Sequence, residues 1–259
     1  MLADWDIPQS ITFLLGAGVS TECGIPDFRS EEGLFIKYGK QVFEKESFLA
    51  DPLPLYKLLS EFEGMKLKQS LPHVMLKKLC DRGVVRRIYT QNIDGLEKTY
   101  GIPDDLIVRM HGAWPVDLQQ SRQLRCHHCK QDMQLTYTGK MPSAWTEKAP
   151  TCYICGGILQ PNIVLYGDDL SITIHNEDKA FTSLLVVMGT SLLVAPASVI
   201  PSMMHKAQKV WINKDPPPHA SGQLYAGSLG GVSNGDNWDI VEKQDIGDFA
   251  QSVLDSFSN

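Results

Sequence analysis

The stretch LLGAGVSTECGIPDFRS, Leu14 to Ser30, decides the fold. An apolar run, ITFLL (11–15), stops abruptly at Gly16-Ala17-Gly18, and Gly24-Ile25-Pro26-Asp27-Phe28-Arg29 follows. Glycines let a backbone approach an anion closely, and a helix start beyond them would aim N–H groups at it. The proline-stiffened element carries a cation suited to a pyrophosphate. The loop therefore reads as the cradle of a phosphorylated ligand, although Gly-x-Gly alone also occurs in tight turns. It is not G-x-G-x-x-G, because Thr21 stands at the third place. Nor does a strand ending in an acid follow about 20 residues later to hold a ribose, which disfavours an ordinary nicotinamide dehydrogenase.

Five further apolar runs end the same way. VVRRIYT (84–90) leads to Gln91-Asn92-Ile93-Asp94, LIVRM (106–110) to His111-Gly112, and NIVLY (162–166) to Gly167-Asp168. LLVVM (184–188) leads to Gly189-Thr190-Ser191 and KVWI (209–212) to Asn213. Amphipathic stretches lie between several of them. LPHVMLKKLC (71–80) reads as a helix stopped by Gly83. ASVIPSMMHKAQ (197–208) and DIGDFAQSVLDSF (245–257) read as helices too, the first disturbed by Pro201. Strands alternating with helices predict an α/β fold, a mostly parallel sheet covered on both faces. Ligands bind outside the carboxyl ends of such strands, so the six polar run-ends are expected to share one crevice. Two stretches break the rhythm: 36–83, helical without a strand, and 121–160, which holds every paired cysteine. Both read as insertions forming a smaller domain, leaving 1–35, 84–120 and 161–259 to the larger one. KDPPPHASGQ (214–223) reads as a surface loop.

The chain has 259 residues, 43% of them apolar, enough to bury a sizeable core. Its net charge of -6 argues against a general nucleic-acid binder. No apolar run approaches the roughly 20 residues that cross a bilayer. MLADWDIPQS lacks the regions of a signal peptide, so residence inside the cell, cytoplasmic or nuclear, is expected. Cys126-x-x-Cys129 and Cys152-x-x-Cys155 are separated by 22 residues. That spacing reads as one structural zinc ion in a closed set of four thiolates, with two redox pairs as the alternative. His127 and His128, inside the knuckle, read as exposed bystanders. Cys23 and Cys80 read as packing residues, Cys23 being placed where oxidation could reach the loop.

GAGVSTECGIPDFRS, TQNIDGLE, MHG, the two C-x-x-C pairs, PNIVLYG, MGTSL and WIN resemble, in order, the motif series of the sirtuins. The resemblance runs from about Phe13 to the last helix. It implies a Rossmann-like domain beside a small domain made of a helical module and a zinc-ribbon module. It implies an NAD-dependent protein lysine deacylase that consumes NAD as a co-substrate and forms nicotinamide, O-acyl-ADP-ribose and free lysine. His111 ends a strand, and an imidazole titrates near working pH as a general base must. The resemblance assigns it the deprotonation of a nicotinamide-ribose hydroxyl. Asn92 and Asp94 would line the nicotinamide pocket by the same resemblance; on local chemistry alone they read as an Asx-type cap of the helix DGLEKTY. The implied cofactor contacts are Gly16, Ala17, Gly18, Ser20, Asp27, Phe28, Arg29, Gln91, Gly189, Thr190, Ser191, Asn213 and, in the loop SNGDNW, Asp236. Thr190 and Ser191 equally suit plain helix N-caps, and Asn213 would replace the missing ribose-binding acid.

PNIVLYG reads as the substrate segment, since an extended stretch can pair with a peptide backbone regardless of sequence. Val164 and Tyr166 would flank the acyl-lysine tunnel. Relatives that remove acidic acyl groups carry Tyr-x-x-Arg in the helical module, whereas this chain has Tyr56-Lys57-Leu58-Leu59. Without that cation a buried carboxylate has no partner, so acetyl or longer apolar acyl groups are expected over succinyl. Arg109, two residues before the histidine, and Gly167-Asp168 in place of Gly-Glu depart from the family pattern, and neither is expected to touch the chemistry. The expected partners are acylated lysines in proteins or peptides, histones among them by likeness to a fungal branch. A mono-ADP-ribosyltransferase and a non-catalytic NAD or ADP-ribose sensor are the alternatives, with a zinc-ribbon nucleic-acid binder disfavoured by charge.

Overall fold

The computed structural model describes residues 10–129, 135–169, 174–217 and 238–257. In chain order its elements are β1 (Ile11–Leu15), α1 (Leu34–Tyr38), α2 (Lys45–Ala50), α3 (Leu53–Phe62), α4 (Leu71–Asp81) and β2 (Val85–Thr90). Next come α5 (Leu96–Thr99), β3 (Ile107–Arg109), β4 (Arg122–Cys126), β5 (Leu135–Tyr137), β6 (Leu159–Pro161) and α6 (Asn176–Phe181). The chain closes with β7 (Leu184–Met188), α7 (Ile200–Met203), β8 (Gln208–Asn213), β9 (Ile240–Lys243) and α8 (Ile246–Ser256).

Six strands form one parallel sheet in the order β3-β2-β1-β7-β8-β9. The chain winds outward from β1 to β3, then returns to the other side of β1 and winds outward again. The order reverses between β1 and β7, which opens a crevice at their carboxyl ends. The central strands β1 and β7 are buried at every position because both faces are covered. Along β1, Ile11, Phe13 and Leu15 join a core with Met75, Leu76 and Leu79 of α4 and Phe249 and Val253 of α8. Leu14 points the other way, into a core with Tyr89, Leu185, Ile200, Met204 and Trp211. Alternate residues of a strand face opposite sides, so one five-residue run serves both layers.

The helix over 71–81, which the sequence groups with 36–83, packs Met75, Leu76 and Leu79 on the parallel sheet. A correction concerns NIVLY. It is no strand of the main sheet; Ile163 makes an isolated antiparallel bridge to Gly112 and Tyr166 a parallel one to Glu44. Its place as a sixth parallel strand is taken by β9, whose alternating partly exposed residues mark an edge. The 197–208 helix is shorter than expected, because Pro201 sits at the start of α7 and the chain is already extended at Gln208. No long helix follows the opening glycines either; a single 3-10 turn, Ala17–Val19, does. Among the described residues no helix is long and apolar enough to cross a membrane.

The two insertions share one core. Leu55, Leu58 and Leu59 of α3 pack in the same cluster as Leu124 and Cys126 of β4 and Leu159 of β6, in an antiparallel sheet ordered β5-β4-β6. A buried ion pair joins them. Arg122 Nε lies 3.2 Å from Glu63 Oε1, both side chains almost fully buried. The guanidinium also donates to the carbonyls of Gly139 at 3.1 Å, Asp117 at 3.2 Å and Pro115. Glu63 in turn accepts from Tyr137 Oη at 3.0 Å and from the Met141 amide at 2.6 Å. Removing one partner of such a pair strands the other charge in the core. Glu63→Ala is expected to cost about 3–5 kcal/mol in urea unfolding, whereas Glu63→Gln, which keeps an acceptor, costs less.

Candidate active site

The polar residues at the strand ends meet as expected. A cleft of about 370 Å³ is lined by Gly16, Ala17, Gly18, Asp27, Phe28, Arg29, Gln91, Asn92, His111, Val164, Tyr166, Gly189, Thr190, Ser191 and Asn213, among others. These come from the ends of β1, β2, β3, β7 and β8 and from the segment 162–167. Ser20 and Asp94 lie deeper, on a smaller, strongly apolar cavity that shares Ala17, Phe28, Phe43, Asn92 and Ile93 with the cleft. Asp236 falls outside the described residues.

Much of this constellation holds itself together. Gln91 Nε2 donates to Thr190 Oγ1 at 2.9 Å and to the Leu15 carbonyl at 3.3 Å, tying the ends of β2, β7 and β1. Thr190 Oγ1 also accepts the Leu192 amide at 3.1 Å, closing a local turn; no helix starts there, so neither Thr190 nor Ser191 is a helix N-cap. Asn213 Nδ2 donates to the Thr190 carbonyl at 2.9 Å. Asn92 Nδ2 donates to the Gly16 carbonyl at 3.1 Å, leaving its Oδ1 as the acceptor still on offer. Ser20 Oγ donates to Asp94 Oδ2 at 2.8 Å, and Asp94 Oδ1 accepts the Leu96 amide at 3.0 Å. Asp94 is therefore an Asx cap for α5 as well as a cavity residue; Asn92 is no cap. Within the turn, the amides of Gly16, Gly18, Val19 and Ser20 bond to protein carbonyls. The Ala17 amide has no such partner among the described residues.

His111 Nδ1 lies 2.9 Å from the Gln91 carbonyl. A carbonyl only accepts, so Nδ1 carries the proton and Nε2 keeps its lone pair. Burial pushes the imidazole below its ordinary pKa, partly offset by the bond to Gln91. At neutral pH the ring is thus an uncharged base of defined tautomer. Burial raises the Asp94 carboxyl, against bonds from Leu96 and Ser20 that lower it. Glu97, only 1% exposed, is pushed up to about 7 by burial and by the Asp94 charge. Its Oε1 has no hydrogen-bond partner among the described residues.

Among the lining residues, Phe43, Ile163, Leu165 and Asp215 are not singled out by the sequence reading. Asp215 stands two residues past Asn213, so an acid near the β8 end was available to be noticed. Phe43 comes from the helical insertion, and no local signal marks it.

The four paired cysteines converge in the small domain. Their sulfurs all lie within 4.8 Å of one another, with Cys126 to Cys155 at 3.4 Å and Cys129 to Cys152 at 3.9 Å. Burial raises the Cys126 thiol, but the Cys129 amide and neighbouring thiols outweigh it and hold the group down to about 6. The Gly157 amide points at Cys155 Sγ at 3.4 Å. Four sulfurs this close together, with backbone amides on Cys126 and Cys155, fit a closed zinc site.

The Sir2 family model matches residues 16–196. The NAD-dependent protein deacetylase hst2 of Schizosaccharomyces pombe is 33% identical over 220 residues, 80% of this chain and 64% of that protein. NAD-dependent protein deacetylase sirtuin-3 of Mus musculus is 33% identical over 218 residues, 79% of this chain and 62% of that protein. The chain thus spans less than two thirds of the length of these relatives. A solved Sir2 structure with a deacetylated p53 peptide and 3'-O-acetyl ADP-ribose superposes with a TM-score of 0.72 at 27% identity, covering 95% of this chain and 92% of that one. A Sir2 complex with p53 peptide and NAD+ gives 0.71 at 26%, covering 96% and 93%.

The buried Glu97 makes a pH prediction. From about 4.3, the ordinary glutamate value, up to about 7, the folded chain holds a proton that the unfolded chain has lost. Its contribution to stability therefore falls as pH rises through that window. Glu97→Gln, which stays neutral, is expected to melt about 4–8 °C above the parent at pH 8, an advantage that shrinks toward pH 4.5 in thermal scans.

Proposed function

This chain belongs to the Sir2 family, and from that membership we propose that it is an NAD-dependent protein lysine deacylase. The observation that carries the reading is that a neutral, tautomer-locked His111 shares one cleft with the Gly16–Gly18 turn and with the Val164–Tyr166 segment. One cleft then offers a base, a dinucleotide cradle and a peptide edge.

Bound NAD would supply an activated ribose carbon and carry the acyl group away as O-acyl-ADP-ribose. Each residue of the chain then has a task that its geometry suits. The unpartnered Ala17 amide and the Arg29 guanidinium meet the pyrophosphate. Ser191 and Asn213 face the adenosine end, with Asp215 beside them. Asn92 Oδ1 and the Asp94 carboxyl accept from the nicotinamide carboxamide. His111 Nε2 takes the ribose hydroxyl proton, and the Gln91 carbonyl steadies the resulting imidazolium through Nδ1–H. Val164 donates its amide to the His111 carbonyl at 3.0 Å, which ties the peptide segment to the base. The Val164 carbonyl and the Gly167 amide take no protein partner among the described residues, so an extended peptide can add to that edge.

The acyl site favours an apolar chain. Tyr56 is fully buried and donates its hydroxyl to the Leu159 carbonyl at 2.7 Å, so it is not free to meet an acyl carboxylate. Leu59 lines the apolar inner cavity. Acetyl-lysine in a protein or peptide is the substrate, with histone tails a candidate to be tried. The four cysteines would hold one zinc ion whose work is to fold the β4–β6 insertion; a closed set offers no position for substrate.

Mass spectrometry of purified protein with NAD and an acetyl-lysine peptide is expected to show nicotinamide, free-lysine peptide and O-acetyl-ADP-ribose in equal amounts. ADP-ribose fixed to protein without peptide deacetylation overturns the reading in favour of a transferase. His111→Ala is expected to lose about 10²–10⁴ in rate, the acid limb of the parent kcat/KM should lie below about pH 6.5, and a succinyl peptide should turn over at least about tenfold more slowly. Atomic absorption is expected to find one zinc per chain. Stripping it with a mercurial and a chelator should abolish the near-UV signal of Trp145, which sits against the small antiparallel sheet.

A further inference from the structure

Asp168 closes the substrate segment, and its carboxylate, 7% exposed, collects donors from four places. Oδ2 accepts from Arg125 Nη2 of β4 at 3.1 Å, from Gln160 Nε2 of β6 at 2.9 Å and from the Leu165 amide at 3.0 Å. Lys45 Nζ, at the start of α2, lies 3.4 Å from Oδ1. Gln160 Nε2 reaches further, to the Ile163 carbonyl at 3.2 Å. One anion thus touches the zinc module, the helical module and the segment between them. Burial would raise this carboxyl, but the Leu165 and Gln160 bonds and the two cations hold it below the usual range.

The segment needs such a tie because it has little else. Ile163 and Leu165 are buried in the small-domain core, while Val164 and Tyr166 stay half-buried, and all four reach the cleft wall. A slip of one residue would exchange the two sets, since side chains alternate along extended chain. Against that slip stand no ladder but two isolated bridges and the amide bonds of Val164 to His111, Tyr166 to Phe43 and Lys45 to Tyr166. The Leu165 amide is the one between, and Asp168 is its acceptor.

We propose that Asp168 is a positioning residue for the acyl-peptide, setting the register of residues 163–166 so that Val164 and Tyr166 present their edge to substrate. The role rests on the deacylase reading. It also reverses the expectation that the Gly167-Asp168 departure is silent.

The test is steady-state kinetics with NAD and an acetyl-lysine peptide. Asp168→Asn removes the charge and offers an amide to donors, so it is expected to raise the peptide KM about tenfold, with kcat and the NAD KM within about twofold of the parent. Asp168→Glu should recover part of the loss, and exchange of the Leu165 amide should quicken in Asp168→Asn alone. Arg125→Met should raise the peptide KM less, and add little to Asp168→Asn because both act through one tie. An unchanged peptide KM, or a rise in both KM values together, overturns the role while leaving the deacylase reading in place. A parent protein that releases no nicotinamide with peptide overturns the reading and this role with it.

Discussion

Three glycines touch backbone to backbone where the sheet reverses its winding. A Cβ on Gly16 would stand 2.5 Å from the Gly189 carbonyl oxygen, and one on Gly18 would stand 2.7 Å from the Gly189 Cα. Gly189 has a φ of 64° and would drive its own Cβ to 2.7 Å from the Val19 amide. The ends of β1 and β7 can close on each other only because none of the three carries a side chain. That closeness lets the Gly18 amide bond to the Gly189 carbonyl at 2.9 Å, and it sets the floor of the cleft. Everything assembled around the crevice, from Gln91 bridging the two strand ends to Asn213 reaching back to Thr190, takes its position from that contact.

The cleft built on this floor is polar yet stiff. Gln91, Asn92, Thr190 and Asn213 each spend one group on a neighbouring backbone carbonyl or side chain and so cannot swing away when the cleft is empty. Networks of this kind cost stability if any member is orphaned and specify one arrangement when all are satisfied. The orphan here is Glu97 Oε1, buried behind Asp94. Burial and the Asp94 charge push Glu97 up to about 7, against a smaller pull from Arg109.

The sequence made the sheet and its crevice legible where burial is two-sided. ITFLL and LLVVM are runs ending in glycine that match strands covered on both faces. NIVLY carries the same signal and deceived, because residues that pack against a module core look like residues that pack inside a sheet. IVEK (240–243) fails the opposite way: a four-residue edge strand with two charges, Glu242 and Lys243, leaves little apolar trace. Periodicity marks 71–81 as a helix but not which surface it meets, because an apolar stripe suits either core. The zinc cysteines were legible from spacing alone, since that geometry is local. Arg122 with Glu63, and Asp168 with Lys45 and Arg125, were not, because pairs 59, 123 and 43 residues apart leave no mark on either neighbourhood.

Those invisible pairs decide how the small domain behaves. Its helices and its zinc-ribbon strands have too little apolar surface to fold as separate layers, and they bury Leu58, Leu124 and Leu159 in one common core. The Arg122–Glu63 pair then fixes how α3 meets β4. The peptide edge hangs between that joint core and the main sheet, held by His111 on one side and by Phe43 and Lys45 on the other. A perturbation in the small domain therefore reaches the substrate segment before it reaches the glycine turn, since the latter belongs to the parallel sheet and its own cores. On the proposed deacylase reading, peptide affinity and dinucleotide affinity are thus separable, because the 162–167 segment and the glycine turn rest on different hydrophobic clusters.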